Sequence, residues 1–173
     1  ASFLYPEDPF RLVGKPLSKP LTNGFLLGSD SLGRDVASGI VHGAKTSLLI
    51  GFVATLVSVF IGIFFGAFAG YFGGIIDDIL MRVTEIFQTI PSFIFAILLV
   101  AIMKPSMSSI VIAIAVVSWP GVARLVRGEF LAVKNREFVQ ACHTLGMSDF
   151  RIMLWEILPN CLSPIIVVGS LMV

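Results

Sequence analysis

Charged residues are scarce in this 173-residue chain: Lys, Arg, Asp and Glu make up 13% of it, while 56% of the residues are hydrophobic. A soluble domain carries about 25% charged residues, so roughly half of the usual charged surface is missing. A soluble protein of this composition would expose large apolar patches and aggregate. The composition therefore excludes an ordinary soluble globule, a disordered chain and a free nucleic-acid-binding protein, and it indicates a membrane protein.

Cysteine and histidine are also rare, with two of each. Cys142 and Cys161 have neither CxxC spacing nor a nearby histidine pair, so the sequence offers no zinc site. Residues 43–46 (GAKT) lack the spacing of a phosphate-binding loop, and the chain has no HExxH or GxSxG motif. We therefore predict that the chain is not an enzyme and has no catalytic, cofactor-binding or metal-binding residues.

Long uncharged runs show where the hydrophobic residues lie. An apolar helix of about 20 residues crosses the hydrocarbon layer of a membrane. The uncharged runs predict four spans, at about residues 47–70, 79–103, 105–123 and 157–173. Because the last run is short and neither an initiator Met nor a signal peptide is present, we expect a fragment of a longer polytopic protein with its fourth span truncated.

Residues 1–46 form the first of two polar segments. Their prolines and charges predict an extramembrane segment, with a short helix near residues 30–42 that Ser29 or Asp30 can cap. Asp30 and Arg34 also have the i, i+4 spacing of a helical ion pair.

Residues 124–156 form the second polar segment and carry five basic side chains. Near the spans, six basic residues lie on the side of this segment and three on the opposite side. The positive-inside rule therefore favours a cytoplasmic 124–156 and a periplasmic or external 1–46.

Gly62, Gly66 and Gly70 form a GxxxGxxxG stripe on the first span. Glycine lets two helix backbones approach closely inside a membrane, where packing rather than the hydrophobic effect holds helices together. Two interpretations remain open: packing within one subunit, or an interface between subunits.

Four charged residues lie at the edge of the second span: Asp77, Asp78, Arg82 and Glu85. Intramembrane charge favours a buried relay, whereas a position at the end of a span favours a solvated helix end with i, i+4 pairing. Pro91, within the same span, predicts a kink because it lacks a backbone donor.

The segment after residue 136 predicts a helix, a glycine and a second helix. The first helix has one apolar face with i, i+3, i+4 and i+7 spacing, made of Phe138, Ala141, Cys142 and Leu145. Gly146 suits the left-handed residue that ends a helix, and Ser148 can cap the second helix with Asp149 at its positive end. The pair is either a knob outside the membrane or a structure lying in the membrane surface.

This segment resembles the EAA loop of bacterial ABC importer permeases, whose pattern is E-A-A-x3-G-x9-I-x-L-P. Gly146 and the Leu158-Pro159 pair are in register with that pattern. The sequence departs from it at three positions: Gln140, Cys142 and Glu156.

Longer stretches resemble the dipeptide, oligopeptide and nickel permease group. Residues 27–36 (LGSDSLGRDV) are similar to its LGTDxLGRD signature, and 43–48 (GAKTSL) to its G-A-R-x-S-L; residues 69–74 and 119–129 match as well. The signature positions are Gly28, Asp30, Gly33, Arg34 and Asp35. Because the resemblance covers residues 27–164 continuously, the chain is identified as a member of this group.

The resemblance implies an all-α fold, a polytopic transmembrane helix bundle of the type I ABC importer permease kind, in a bacterial inner membrane. It implies that 124–156 is a cytoplasmic coupling loop, and by position the role falls to Gln140, Ala141, Cys142, Gly146, Met147 and Ser148. The implied partners are a second homologous permease, two ATPase subunits that hold ATP and Mg, an extracytoplasmic substrate-binding protein and the lipid bilayer. No cofactor is expected on this chain, and no nucleic acid.

We therefore predict a permease subunit of an ATP-driven importer, forming part of the path for dipeptides or oligopeptides. The alternative cargo is nickel or another small solute carried by the same machinery. An ion-coupled secondary transporter would need internal repeats and acidic residues near the midplane, and neither is visible. An intramembrane enzyme is disfavoured because the sequence shows no nucleophile–base or metal set at membrane depth.

Overall fold

A computed structural model describes residues 8–12, 14–22 and 25–173. Within these ranges every regular element is a helix, and two isolated β-bridges are the only strand-like pairings. The helices are α1 (Val36–Phe72), α2 (Gly74–Thr89), α3 (Ser92–Met103), α4 (Met107–Val133), α5 (Glu137–Thr144), α6 (Asp149–Arg151), a π-helix (Ile152–Ile157) and α7 (Leu158–Met172). The predicted all-α fold is confirmed. The parts of the predicted 1–46 segment at residues 1–7, 13 and 23–24 lie outside the described residues.

Three helical stretches are long and apolar enough to cross a membrane: α1, α4, and the run from Asp149 to Met172. A fourth span results if α2 and α3, which are bent by 81° at their junction, are counted together. The chain divides within α1 into two compact units, residues 1–49 and 50–173.

Two helices continue beyond the limits that their charges predict. The sequence predicts a short helix near residues 30–42 and a separate span at 47–70, but α1 runs without a break from Val36 to Phe72. Similarly, the span predicted to end at 123 continues as α4 to Val133. Lys, Arg and Glu are good helix formers, so a charge marks the edge of an apolar run without ending the helix.

The second predicted span, 79–103, is divided at Pro91. Helix α2 ends at Thr89, Ile90 is extended with φ −89° and ψ 130°, and α3 begins at Ser92. Proline has no N–H and disfavours the helical conformation of the residue before it. The structure therefore has a sharp bend where the sequence predicts a kinked continuous helix.

The glycine stripe of α1 lies directly against α4 of the same chain, the first of the two interpretations above. A Cβ placed on Gly66 would lie 2.4 Å from the Ala123 carbonyl oxygen. A Cβ on Gly62 would lie 2.6 Å from Val122, and one on Gly70 would lie 2.6 Å from Phe130. No side chain fits at these positions without moving one helix, so the glycines set how closely α1 and α4 approach.

The core joins α4 to the beginning of the last spanning helix. Its buried members come mainly from α4, the π-helix and α7, with Ala67 from α1 and Val139 from α5. Phe130, Ile152 and Ile157 are fully buried. The short helix α5 is therefore attached to the membrane bundle through the buried Val139 and the half-buried Cys142.

Candidate functional site

The candidate site is the connector, defined as residues 134–157, which links α4 to α7 and contains α5, α6 and the π-helix. It begins where the Lys134 amide donates to the Phe130 carbonyl and closes the last turn of α4. Arg136 is then extended and precedes α5. The predicted helix–glycine–helix order is present here.

The first helix of the connector ends in a Schellman motif, in which two amides bond back across a left-handed residue. Gly146 has φ 75°, the Met147 amide donates to the Cys142 carbonyl at 3.2 Å, and the Gly146 amide donates to the His143 carbonyl at 3.0 Å. Glycine adopts this φ without the strain that a Cβ causes. The turn is therefore well defined even though it is exposed.

Ser148 occupies the cap position of the second helix, but its side chain makes no capping hydrogen bond among the described residues. The prediction of a side-chain cap is therefore wrong, although the helix start is correct. Asp149 lies in the first turn as predicted, and its carboxylate accepts a hydrogen bond from the Tyr71 hydroxyl at 2.7 Å. The second helix is also more than a short piece, because the helical run from Asp149 extends to Met172.

Three of the four residues of the predicted apolar face, Phe138, Ala141 and Leu145, are exposed, and the fourth, Cys142, is half-buried against the core. Leu145 is 80% exposed and Phe138 is 40% exposed, while the fully buried residue of α5 is Val139. Phe150, which follows the turn, is 59% exposed. Phe138, Leu145 and Phe150 thus place large apolar side chains on the exposed surface of the connector.

The six residues to which the resemblance assigns the coupling role by position differ in exposure. Cys142 and Met147 are half-buried and pack against the core. The exposed members are Gln140, Ala141, Gly146 and Ser148. The sequence does not show which face of α5 is buried. Val139, the buried residue, is not part of the predicted apolar face but is next to Phe138 in the sequence.

The signature residues form a hydrogen-bonded turn structure immediately before α1. The Asp30 carboxylate accepts hydrogen bonds at 2.8 Å from the amides of Leu32 and Arg34. The predicted Asp30–Arg34 ion pair is absent from the described residues, and the Arg34 guanidinium lies over the Phe10 ring instead. Residues 30–34 precede α1, so the helical i, i+4 geometry does not apply.

Asp35, rather than Ser29 or Asp30, caps α1. Its carboxylate oxygens accept from the amides of Ala37 and Ser38, the usual arrangement for an N-cap. Ser29 instead accepts from the Ser18 amide and donates to the Lys15 carbonyl. The hydroxyl therefore joins two parts of the N-terminal segment.

Gly28 and Gly33 are required for the same turn structure. Both have positive φ, at 82° and 80°. A Cβ on Gly28 would lie 2.3 Å from the Ser18 carbonyl oxygen, and one on Gly33 would lie 2.3 Å from the Gly14 carbonyl oxygen. Both the backbone conformation and the available space exclude a side chain.

The charges at the start of α2 include a contact that the sequence does not reveal. The guanidinium of Arg127, on α4, binds the Asp77 carboxylate through two hydrogen bonds of 2.5 Å. A bidentate pair of this kind fixes orientation as well as distance, and here it joins α2 to α4 across 50 residues. Within the described residues, no group of three or more His, Cys, Asp or Glu side chains is arranged to hold a metal ion.

Apolar helices of spanning length, joined by a structured connector, define an integral membrane protein. Residues 62–172 match the family model described as "Binding-protein-dependent transport system inner membrane component". The chain belongs to this family, so the predicted family and inner-membrane location are confirmed.

The chain is also similar to curated permease proteins. It is 41% identical over 143 residues to a dipeptide transport system permease protein of Haemophilus influenzae, covering 83% of this chain and 48% of that protein. It is 40% identical over 171 residues to a dipeptide transport system permease protein of Bacillus subtilis, covering 99% and 53%. With an oligopeptide transport system permease protein of Escherichia coli it shares 39% identity over 173 residues, covering 100% and 57%. The chain thus spans about half the length of the curated relatives it matches.

Proposed function

We propose that this chain is part of a permease subunit that forms a transmembrane path for dipeptides or oligopeptides in an ATP-driven importer. The printed names of the similar permeases support the peptide class. The observation that carries the dependence on another subunit is the connector, which holds exposed Leu145 and Phe138 on a turn of fixed geometry. A surface of this kind fits docking onto a partner better than isolated function.

The proposed assembly contains three kinds of partner subunit. A second, homologous permease completes the path, two ATPase subunits hold ATP and Mg and bind the connector, and an extracytoplasmic binding protein delivers the peptide. In this arrangement residues 124–156 face the cytoplasm and residues 1–46 face the periplasm or cell exterior. The excess of basic residues near the connector supports that orientation.

The connector can transmit movement because its second half is continuous with a spanning helix. Helix α6, the π-helix and α7 form one helical run from Asp149 to Met172, and Ile152 and Ile157 bury its base in the core. ATP binding changes the shape of the ATPase pair, and the permease follows to the extent that one of its conformations binds the closed pair better. Displacement of the connector would therefore tilt α7.

Substitution of Gly146 tests the coupling role at a single position. Gly146→Val places a β-branched residue at φ 75°, where it is strained, whereas Gly146→Asn is the matched control because Asn tolerates the left-handed conformation. We expect Gly146→Val to be inserted in the membrane at normal levels but to lose ATP-dependent uptake of a radiolabelled dipeptide, and Gly146→Asn to retain it. Normal uptake by the Val variant would exclude the coupling role.

A cysteine at Leu145 tests both orientation and docking. Leu145→Cys in a Cys142→Ala background leaves Cys161, which is fully buried, as an internal control. We expect a membrane-impermeant thiol reagent to label the protein in inverted vesicles and not in intact cells, and a short bifunctional reagent to link it to an ATPase subunit. Labelling only from the outside would contradict the proposed orientation.

A further inference from the structure

Tyr71, in the last turn of α1, is contacted by three separate parts of the segment that follows α4. Its hydroxyl donates to the Asp149 carboxylate at 2.7 Å. Its ring stacks on that of His143 in α5, with 6.5 Å between centroids and 25° between planes. The Lys134 ammonium lies 3.4 Å from its backbone carbonyl oxygen and donates to it. The end of α1 is thus held to both helices of the connector and to the end of α4.

We propose that the hydrogen bond between the Tyr71 hydroxyl and the Asp149 carboxylate carries movement of the connector to α1, which makes Tyr71 a positioning residue for transport. This inference rests on the proposed coupling role of the connector. It adds a second route for that movement, because the continuous run from Asp149 to Met172 already carries the connector's displacement to α7.

The location of the bond supports a mechanical role. Asp149 is the first residue of α6, at the point where the connector turns back toward the membrane, so any rotation of the connector displaces its carboxylate. Tyr71 is in the same helix as the glycine stripe that lies against α4. A pull on Tyr71 therefore acts on a closely packed pair of helices and not on a free helix end.

The chemistry of the contact makes the bond specific. The two residues are 78 positions apart, and a hydrogen bond to an ionised carboxylate is stronger than one between neutral groups. The ring stacking and the Lys134 contact hold the backbone and ring of Tyr71, but the hydroxyl is the part of the side chain that reaches α6. Removing only that oxygen should release α6 from α1 while the end of α1 stays in place.

The test uses the assembled importer, with all its subunits, in proteoliposomes, and it measures uptake of a radiolabelled dipeptide and ATP hydrolysis in the same preparation. We expect Tyr71→Phe to lower the amount of peptide imported per ATP hydrolysed by about fivefold to tenfold, in line with the loss of one exposed hydrogen bond, with ATPase activity within about twofold of normal. Asp149→Asn should retain coupling because its amide oxygen can still accept the bond. Thr89→Val is the matched control, since it removes a hydroxyl outside the connector whose hydrogen bond stays within α2.

A double-mutant cycle separates the proposed contact from a general loss of structure. Tyr71→Phe and Asp149→Ala should each reduce coupling, and the double variant should be no worse than either single variant. Additive losses, unchanged coupling in Tyr71→Phe, or equal decreases in uptake and ATPase activity would overturn the inference. The unmodified importer tests the proposed function separately. If it takes up no dipeptide with ATP, the proposed function fails, whatever the result for the Tyr71 variant.

Discussion

Gly33 and Gly146 share a left-handed backbone, with φ of 80° and 75°, but their surroundings are opposite. A Cβ on Gly33 would collide with the Gly14 carbonyl oxygen at 2.3 Å, whereas a Cβ on Gly146 would meet no described atom within 4 Å beyond its chain neighbours. Other atoms of the N-terminal segment pack closely around Gly28 and Gly33, whereas Gly146 of the connector has free space beside it.

The two segments also differ in how their polar and apolar side chains are placed. In the N-terminal segment many amides, hydroxyls and carboxylates of residues 14–22 and 25–38 bond to one another, and Asp30, Ser29 and Asp35 each accept from backbone amides. The connector is equally well ordered in its backbone but exposes Leu145 and Phe150. An ordered backbone that leaves apolar side chains exposed is the arrangement needed for the docking role proposed above.

The largest effect should come from filling the space at Gly33. Gly33→Ala combines the left-handed strain of about 1–2 kcal/mol with a backbone collision, for a total local cost of about 3 kcal/mol. Amide hydrogen exchange in residues 14–35 should increase accordingly. Gly39→Ala in α1, whose added Cβ meets no described atom within 4 Å, should leave exchange unchanged; equal effects at the two positions would remove the contrast.

Gly146→Ala should have a smaller effect, because only the backbone conformation resists the new side chain. We expect a cost of about 1–2 kcal/mol, measured as faster exchange of the amides in the last turn of α5. Gly128→Ala in α4 is the control, since this glycine is helical and its Cβ also meets no described atom within 4 Å. A cost above that of Gly33→Ala would show that the connector is more tightly packed than its surface indicates.

Removal of a helix-capping side chain should distinguish the N-terminal segment from the connector by a smaller difference in stability. Asp35→Ala removes a carboxylate that accepts from two amides and should cost about 1 kcal/mol. Ser148→Ala removes a hydroxyl with no capping bond in the described structure and should change stability by less than about 0.5 kcal/mol. Chemical denaturation in detergent, followed by exchange at each helix start, provides the measurement; a larger loss at Ser148 would contradict the structure.

The smallest effect at neutral pH concerns Asp30. The hydrogen bond from the Arg34 amide holds the pKa of this carboxyl below its ordinary value, which is about 3.9. A lowered pKa means that the ionised form stabilises the turn above the ordinary value, and that this contribution is lost as the pH falls through the lower, folded value. Hydrogen exchange in residues 28–34, corrected for its intrinsic rate, should be constant from pH 7 to pH 5 and rise below about pH 4. Asp30→Asn should abolish that rise; an unchanged rise would assign it to another group.

The sequence predicts the helical membrane architecture but not the ends of the helices. Charge marks where an apolar run stops, yet α1 passes through Lys45 and α4 passes through Arg124 and Arg127. The reason is that membrane solvation and helix propensity are separate energies, and only the first penalises a charge. Pro91 lowers helix propensity, and a helix does end next to this residue.

Prediction of the candidate site is also partial. Gly146 could be placed from sequence because a left-handed helix end has a local signature. The outward direction of Leu145 could not, since burial depends on which helix lies behind α5. The Tyr71–Asp149 and Asp77–Arg127 contacts join residues 78 and 50 positions apart, and a single sequence carries no signal for such pairs.

The contact between α1 and α4 also behaves as a repeating pattern along both helices. Gly62, Gly66 and Gly70 recur every four residues, and the residues they meet, Val122, Val126 and Phe130, recur with the same step. A slide of one step, about 6 Å, would therefore present each helix with a similar surface over much of its length. The register is fixed at the two ends, by Trp119 packed 4.7 Å from the Phe65 ring and by Phe130 packed on Gly70. The aromatic side chains of Trp119 and Phe130 thus prevent α1 and α4 from sliding past each other.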